Sequence, residues 1–341
     1  MKKILAMILA LAMCFSLVAC GGGSDDAAND GEVKIKIGMV TDTGGVNDQS
    51  FNQTTWEGLQ ALVKEDPTFE VAHLVSKTEA DYDTNIQTFI DDGYDLVICT
   101  GFALADATRK AAEANPDQKF AILDDATNAD LPNVCCLMFA QEQASYLVGV
   151  AAGMMTESNT IGYVQGMVFD TMNLFGIGFI EGVKAANPDA EVLQYNANSF
   201  GDAASGATAV KNFVTQGADV VYHAAGATGA GVITACQENG IYAIGVDCDQ
   251  SYLAPETVIT SAMKRVDIAA QDICKAVKDG SFAGGVKTYD ITNGGVDIAP
   301  TQDLLPAEVI EAVEAAKAGM LDGSIVVPTT IAECPEFILA N

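Results

Sequence analysis

Arginine, histidine and tryptophan are scarce in this chain of 341 residues. The two arginines are Arg109 and Arg265, and the two histidines are His73 and His223. Seventeen lysines and arginines stand against 46 aspartates and glutamates, which gives a formal net charge of −29. Nucleic acids and anionic lipid headgroups are bound by basic patches, so we expect neither as a partner. With so few imidazoles, a zinc site also has little support.

No long apolar run of the kind that spans a membrane opens the chain. The run from Ile4 to Val18 has about 15 residues, whereas a spanning helix needs roughly 20. Two lysines precede it and Leu17-Val18-Ala19-Cys20 closes it, a pattern typical of a lipoprotein signal peptide. We therefore expect residues 1–19 to be the signal peptide and Cys20 the lipidation site, on the extracytoplasmic face of the cell membrane. The alternative is a plain secretory signal with a chance cysteine at its boundary.

The segment after Cys20 has no apolar side chain larger than alanine. Gly21 to Glu32 is small, polar and acidic. Such a stretch cannot bury enough apolar surface to fold. Residues 20–32 are therefore predicted to be a flexible tether.

Disulfide signatures are missing, although the chain has nine cysteines. There is no C-x-x-C, and the cysteines other than Cys14 and Cys20 are odd in number. Most of these seven lie within predicted strands or helices. We interpret them as small buried hydrophobic residues rather than as a disulfide framework.

What the sequence does have is a regular alternation of strands and helices. Short β-branched runs alternate with helical periods in two series, the first ending near Phe139 and the second beginning near Gln141. This alternation predicts parallel sheets covered by helices. The roughly 310 residues that follow the tether are too many for one ordinary hydrophobic core. We expect an α/β protein with two doubly wound domains. The last predicted strand of the second series is Val258–Ser261, and a further strand is predicted around Ser324–Val327.

Polar and aromatic side chains follow the predicted strands. Ligands of open α/β sheets bind beyond the carboxyl ends of the strands, so these positions are the candidate site. They are Asp42, Phe102, Asp124, Asp125, Phe169, Phe200, Gly226 and Asp247. The set has no nucleophile–base pair, which favours binding over catalysis. We therefore expect a protein that is not an enzyme.

Cofactor and metal motifs are weak. The glycine-rich run at residues 226–231 does not have the G-x-G-x-x-G spacing of a dinucleotide loop. Asp247-Cys248-Asp249 could hold a metal ion, but an acidic turn after a strand is the commoner reading. We predict no cofactor and no metal.

The strongest local motif lies at residues 38–53. A predicted strand runs into Gly44-Gly45 and then Asn47-Asp48, with Ser50 as the expected N-cap of a helix. Phe51 then stands in the first turn of that helix. On this evidence Phe51 either faces the mouth of the sheet or packs as a buried staple, and both readings stay open.

This motif resembles the basic membrane protein family of lipoproteins, the substrate-binding subunits of nucleoside ABC transporters. The resemblance continues in family order through residues 176–184, 198–202, 217–229, 244–250 and 260–267. Together these blocks extend over nearly all of residues 35–275. Each block alone is weak, but the ordered set is specific.

The resemblance implies a type I periplasmic-binding-protein fold. Two doubly wound parallel-sheet lobes close on a ligand around a hinge of three chain segments. We place the first lobe at residues 33–139 plus 262–298. The second lobe is placed at residues 140–261 plus 299–341.

The resemblance also implies a binding site. In the family a purine base lies between two phenylalanines, one from each lobe, and Phe51 and Phe200 match them. Acidic residues hold the base edge and the ribose hydroxyls, and Asp125 beside Asp124 leaves the register at that position open. The expected ligand-binding residues are Asp42, Asn47, Phe51, Asp124, Phe200, Gly226, Asp247 and Lys264.

The expected function is nucleoside capture for an ABC transporter. The implied partners are a nucleoside of the adenosine, guanosine or inosine type, the permease subunits, and the membrane through the lipid anchor. The receptor is expected to be a monomer. The alternative is a receptor of the same fold for a sugar or another small ligand, because a fold alone does not fix the ligand.

Overall fold

The computed structural model describes residues 34–339. The predicted signal peptide, the lipid site Cys20 and the tether lie outside the described residues. The strands are β1 Ile35–Val40, β2 Phe69–Leu74, β3 Leu96–Thr100, β4 Lys119–Leu123, β5 Val134–Phe139, β6 Thr160–Gln165, β7 Glu191–Asn196, β8 Val220–Ala224, β9 Tyr242–Asp247, β10 Val258–Lys264, β11 Gly285–Tyr289 and β12 Val296–Ile298. The helices are α1 Phe51–Glu65, α2 Tyr82–Asp91, α3 Ala105–Ala114, α4 Gln141–Met155, α5 Asp170–Ala186, α6 Ala203–Thr215, α7 Ala227–Asn239, α8 Val266–Asp279 and α9 Ala307–Asp322.

These strands form two six-stranded sheets, one in each lobe. The first has the order β11-β5-β4-β3-β1-β2 and is parallel throughout. The second has the order β12-β10-β9-β8-β6-β7, and in it β12 pairs antiparallel with β10. Central strands such as β3 and β8 are buried at every residue, as expected where helices cover both faces of a parallel sheet. The predicted α/β class with two doubly wound lobes is confirmed.

The chain passes between the two lobes three times. It crosses from β5 into α4, from β10 into α8, and from β11 to β12. Backbone hydrogen bonds tie these crossings together, with the Ala140 amide donating to the Tyr289 carbonyl and the Arg265 amide to the Gly295 carbonyl, each at 2.9 Å. The three-segment hinge is therefore confirmed.

One part of the predicted lobe division differs from the strand pairing. Residues 262–298 were expected in the first lobe, but Ala262–Lys264 and Val296–Ile298 pair within the second sheet. Strand β10 continues past Ser261, where the predicted strand ended, and β12 turns back along it. Neither β11 nor β12 was predicted. The first is an exposed edge strand without an apolar run, and the second has three residues.

The strand predicted around Ser324–Val327 is wrong. This stretch has no regular secondary structure and follows Gly323, which ends α9 in a left-handed conformation. The Ile325 amide donates to the Gly319 carbonyl at 2.9 Å, so the segment completes the helix end instead of joining a sheet.

Helices α4 and α5 are in backbone contact through glycines. A Cβ atom on Gly178 would lie 2.1 Å from the Glu142 carbonyl oxygen, and one on Gly182 would lie 2.1 Å from that of Tyr146. A Cβ on Gly149 would in turn lie 2.3 Å from the Phe179 carbonyl oxygen. Only glycine permits this approach, which packs the second lobe beside the hinge.

The cysteines of residues 34–339 are all free. Six are buried and Cys248 is partly exposed, which confirms their interpretation as small hydrophobic residues. Within the same range, no helix is both long and apolar enough to cross a bilayer.

Candidate ligand-binding cleft

A cavity of about 560 Å³ lies between the two lobes, where the carboxyl ends of both sheets meet. Seven of the eight residues expected at the site line it: Asp42, Phe51, Asp124, Phe200, Gly226, Asp247 and Lys264. Of the two neighbouring aspartates, Asp124 lines the cavity, whereas Asp125 is not in the lining and accepts from the Thr127 amide at 2.9 Å.

Asn47 does not line the cavity. It is exposed on the loop before α1, while the neighbouring Asp48 and Asn52 turn inward and take part in the cavity wall. The loop that carries the motif therefore reaches the cavity through Asp48 and Asn52 rather than through Asn47. In a loop, unlike a strand, no simple period tells which side chain faces inward.

Asp48, rather than the Ser50 side chain, caps helix α1. The Asp48 carboxylate accepts from the amides of Ser50, Asn52 and Gln53 at 2.8–3.0 Å. A carboxylate is well placed there because the free amides and the helix dipole both favour negative charge. The Ser50 hydroxyl is left free of the cap and donates across the cleft to Asp247.

Asp42 follows β1 and is held by two donors. Its Oδ1 accepts from the Gly44 amide and from Asn52 Nδ2, both at 2.8 Å. Loss of hydration raises the pKa of Asp42 to about 6, and the two hydrogen bonds oppose that rise. Its other oxygen, Oδ2, lies 3.6 Å from where a Cβ on Gly101 would be, so the glycine leaves room beside it.

Asp247 ends β9 and points into the cavity from the second lobe. It has a φ of +66°, a left-handed conformation that is strained for a non-glycine residue. Burial raises its pKa to about 6, while nearby Lys264 and the Ser50 hydroxyl lower it. A strained, buried carboxylate at a strand end is typical of a functional site.

Lys264 and Asp124 form a buried ion pair across the cleft. Lys264 ends β10 of the second sheet and Asp124 follows β4 of the first, and their side chains are 2 % and 11 % exposed. The lysine Nζ lies 5.1–5.2 Å from the ring centroids of Phe51, Phe139 and Phe175. Ring faces attract a cation in a dry site, so the aromatic cage and the aspartate together compensate for the burial of the charge.

Two phenylalanines supply aromatic faces from opposite lobes. Phe51 starts α1 in the first lobe, and Phe200 lies in the loop after β7 in the second. Of the two readings left open for Phe51, the cavity-facing one holds. Phe200 rests on Gly166, where a Cβ would lie 2.5 Å from the ring, so only glycine allows the ring to sit in the cavity wall.

Residues 35–330 match the Bmp family, described as ABC transporter substrate-binding proteins that are PnrA-like. The chain belongs to this family. It is 38 % identical to the ABC transporter nucleoside-binding protein BmpA of Lactococcus lactis over 96 % of this chain and all of that protein. It is also 38 % identical to a CD4+ T-cell-stimulating antigen of Listeria innocua, over 96 % of this chain and 99 % of that one.

Among solved structures, the chain resembles an ABC transporter solute-binding protein of Aeropyrum pernix. The TM-score is 0.80 at 25 % identity, over 89 % of this chain and 97 % of the other. The Bmp-family protein is therefore a substrate-binding component of an ABC transport system, a class of transport proteins rather than of enzymes.

Several lining residues of the Bmp-family protein were absent from the expected binding set. Phe102 and Phe169 had been noted only as strand-end aromatics, and Met172 and Phe175 on α5 had not been noted at all. Strand-end position was the signal for the first two. For the other two the signal was available in the strand-to-helix order, since α5 follows β6 and its first two turns lie at the cleft end of the sheet.

His223 lies outside the cavity of the Bmp-family protein. It is fully buried, and burial lowers its pKa to about 4. A Cβ on Gly229 would lie 2.1 Å from its ring, so α7 packs directly over it. The Asp249 carboxylate accepts from the Ser251 amide at 3.1 Å.

Proposed function

We propose that this protein is a lipid-anchored extracytoplasmic receptor that binds purine nucleosides and delivers them to the permease of an ABC transporter. The observation that carries the proposal is the placement of Phe51 and Phe200, from opposite lobes, in one cavity with four carboxylates. Such a cavity wall best fits a nucleoside. Its planar base would lie between the two rings, and its sugar hydroxyl groups would lie among the acids.

The two rings account for the base. Stacking of a base on an aromatic side chain contributes about 1–3 kcal/mol per base. Two faces on opposite lobes use this energy only when the lobes are closed, so the base itself favours closure. A sugar ring has no flat π-face and gains less from such a pair.

The carboxylates of the cavity favour a sugar with free hydroxyl groups and disfavour a phosphate group. Asp42, Asp48, Asp124 and Asp247 line the cavity, with Lys264 the one basic residue in its lining, and that lysine is already paired with Asp124. Ionised acids accept strong hydrogen bonds from hydroxyl groups. They repel a phosphate group, so the free nucleoside is favoured over the nucleotide.

The family gives independent support for the nucleoside class. The Lactococcus relative bears the name nucleoside-binding protein and aligns over almost the whole chain. The lipid anchor is supported by the N-terminal pattern that ends at Cys20.

The ligand class is tested by calorimetry and thermal unfolding of the full chain in detergent. The protein is first unfolded and refolded to remove copurified ligand, then screened with nucleosides, free bases, nucleotides, ribose and hexoses. A ligand at one hundred times its Kd adds about 2.7 kcal/mol to stability, which a melting curve detects. Selective stabilisation by adenosine, guanosine or inosine is expected. Stabilisation by a sugar and by no nucleoside overturns the proposal in favour of a sugar receptor.

The anchor is tested with Cys20→Ser in the producing cells. The wild-type protein is expected in the membrane fraction with a lipid-modified N-terminus by mass spectrometry, and the variant in the medium or the soluble extracytoplasmic fraction. Cys14→Ser is the matched control and is expected to behave as wild type. An unmodified N-terminus on the wild-type protein contradicts the anchor.

A further inference from the structure

Gln250 is a buried residue outside the cavity lining that joins the two lobes. It is 1 % exposed, and its side-chain Nε2 donates to the backbone carbonyl of Gln49 at 2.8 Å. Gln49 belongs to the first lobe, just before α1, and Gln250 to the second, just after β9. The hydrogen bond can therefore exist only while the lobes are closed.

The Gln250 side chain is fixed within its own lobe. Its Oε1 accepts from the Val246 amide at 2.9 Å, and its backbone amide donates to Ser261 Oγ at 3.1 Å. A Cβ on Gly245 would lie 2.7 Å from Oε1, so glycine at that position leaves the room that the side chain occupies. The side chain is thus set in place from its own lobe, with one donor left to reach across.

The acceptor on the first lobe is also held in a particular shape. Gln49 has a φ of +58°, and its amide is bonded to Gln53 Oε1 at 3.2 Å. A second donor from the other lobe, Cys248 Sγ, lies 3.7 Å from the same carbonyl oxygen. A non-glycine residue keeps a left-handed conformation only where its surroundings enforce it.

The contact stands next to a second one between the same two segments. Ser50, the neighbour of Gln49, donates its hydroxyl to Asp247. Val246, whose amide bonds to Gln250, directly precedes Asp247. One side chain therefore links the backbone beside the cavity carboxylate to the opposite lobe.

We propose that Gln250 is a positioning residue that locks the closed cleft and holds Asp247 in its ligand-facing place. Gln250 is not itself in the cavity lining, but it contacts the backbone of Val246, which is. It acts on the rate at which the cleft reopens, and hence on ligand release, without selecting among ligands.

The test compares Gln250→Glu and Gln250→Met with wild type in the full chain. Glutamate keeps the shape but turns an oxygen toward the Gln49 carbonyl oxygen, while methionine keeps the length and removes both polar atoms. Gln237→Glu, exposed on α7, is the matched control for the added charge.

Spin labels at Thr84→Cys and Lys211→Cys, both exposed and on different lobes, report the interlobe distance by pulsed electron paramagnetic resonance. All proteins, the reference included, carry Cys248→Ser, which removes the partly exposed thiol and keeps a donor near the Gln49 carbonyl.

Both Gln250 variants are expected to shift the distance distribution toward longer separations, while the control matches wild type. Adenosine dissociation, followed by stopped flow, is expected to be about tenfold faster, in the range of one lost buried hydrogen bond. Association is expected to change less than about threefold, and the order of preference among nucleosides not at all. A residue that only stabilises its own lobe would lower the melting temperature and leave the distances unchanged.

An unchanged distance distribution in whichever variant folds overturns the proposal. The distance measurement needs no ligand, so it decides the role of Gln250 separately from the nucleoside proposal. If adenosine does not bind to the wild-type protein either, only the nucleoside proposal is contradicted.

Discussion

The rings of Phe102 and Phe169 meet across the cleft with their centroids 3.7 Å apart and their planes at 34°. Phe102 follows β3 of the first sheet and Phe169 follows β6 of the second, so this contact also exists only in the closed arrangement. Both residues line the ligand cavity.

We predict that this ring pair adds to ligand affinity through closure. Phe102→Ala and Phe169→Ala are each expected to weaken binding about two- to tenfold, since an aromatic pair contributes about 0.5–1.5 kcal/mol beyond its area. Because the two share one contact, the double variant is expected to lose less than the product of the single losses. Calorimetric double-mutant cycles measure this, and strictly multiplicative losses contradict a shared contact.

The stacking residues are predicted to affect binding far more than folding. Phe51→Ala and Phe200→Ala are each expected to weaken nucleoside binding about tenfold or more, as the loss of one stacking face requires. Both side chains are only half-buried, so the melting temperature of the ligand-free protein is expected to change by a few degrees at most. Calorimetry and melting curves check the two halves of this prediction. Phe89→Ala, which removes a buried core ring, is the control that should lower stability and spare affinity. If Phe51→Ala and Phe200→Ala keep their affinity but unfold at a much lower temperature, the stacking prediction is contradicted.

Stability and affinity are predicted to depend on pH in opposite directions. Asp42 and Asp247 have folded-state pKa values of about 6 against an ordinary 3.8. Between these values the folded protein holds more protons than the unfolded chain, so this contribution to stability is present at low pH and is lost as the pH rises toward and through 6. In the proposed function the ionised acids are the acceptors for the nucleoside, so binding is expected to weaken at least about tenfold from pH 7 to pH 5.

The pH prediction is checked by melting and calorimetry from pH 4 to 7 on wild type, Asp42→Asn and Asp247→Asn. Other titrating groups affect all three proteins alike, so the difference between wild type and variant isolates each carboxyl. Each asparagine variant is expected to lack the part of the pH dependence of stability and of affinity that its carboxyl contributes. If the difference between wild type and variant does not vary with pH, that carboxyl is not the titrating group.

The glycine contact between α4 and α5 is predicted to be essential for the second lobe. Gly178→Ala or Gly182→Ala places a methyl group about 2.1 Å from a backbone oxygen, which the two helices can relieve only by moving apart. We expect a loss of about 1–3 kcal/mol or more in the free energy of unfolding, measured by denaturant titration. Gly201→Ala, where a Cβ meets nothing within 4 Å, is the matched control and is expected to be nearly neutral. Equal stability of the three variants contradicts the tight contact.

Most of the fold could be predicted because buried parallel strands carry strong patterns. Strands such as β3 are nearly continuous apolar runs, and helices such as α8 have a clear apolar face. Strand β11 escaped prediction because three of its five residues are exposed. Strand β12 is too short to show any period, and its place is decided by pairing with β10.

The site was predictable at strand ends and less so in loops. Asp42, Asp124 and Asp247 follow strands, and the topology of an open sheet brings such positions together. In the loop before α1, Asn47 was expected at the site but does not line the cavity, since a loop side chain points where its local hydrogen bonds direct it. There Asp48 takes the helix cap and releases Ser50 to cross the cleft.

The sequence by itself determined the acidic character, the alternation of strands and helices, and the family, because these depend on composition, period and ordered motifs. The tertiary structure alone decided which side chains meet across the cleft. Asp124 and Lys264 are 140 residues apart in the chain, and Gln49 and Gln250 are 201 apart. No local pattern encodes such pairs, because they arise only when two separately folded lobes close on a shared hinge.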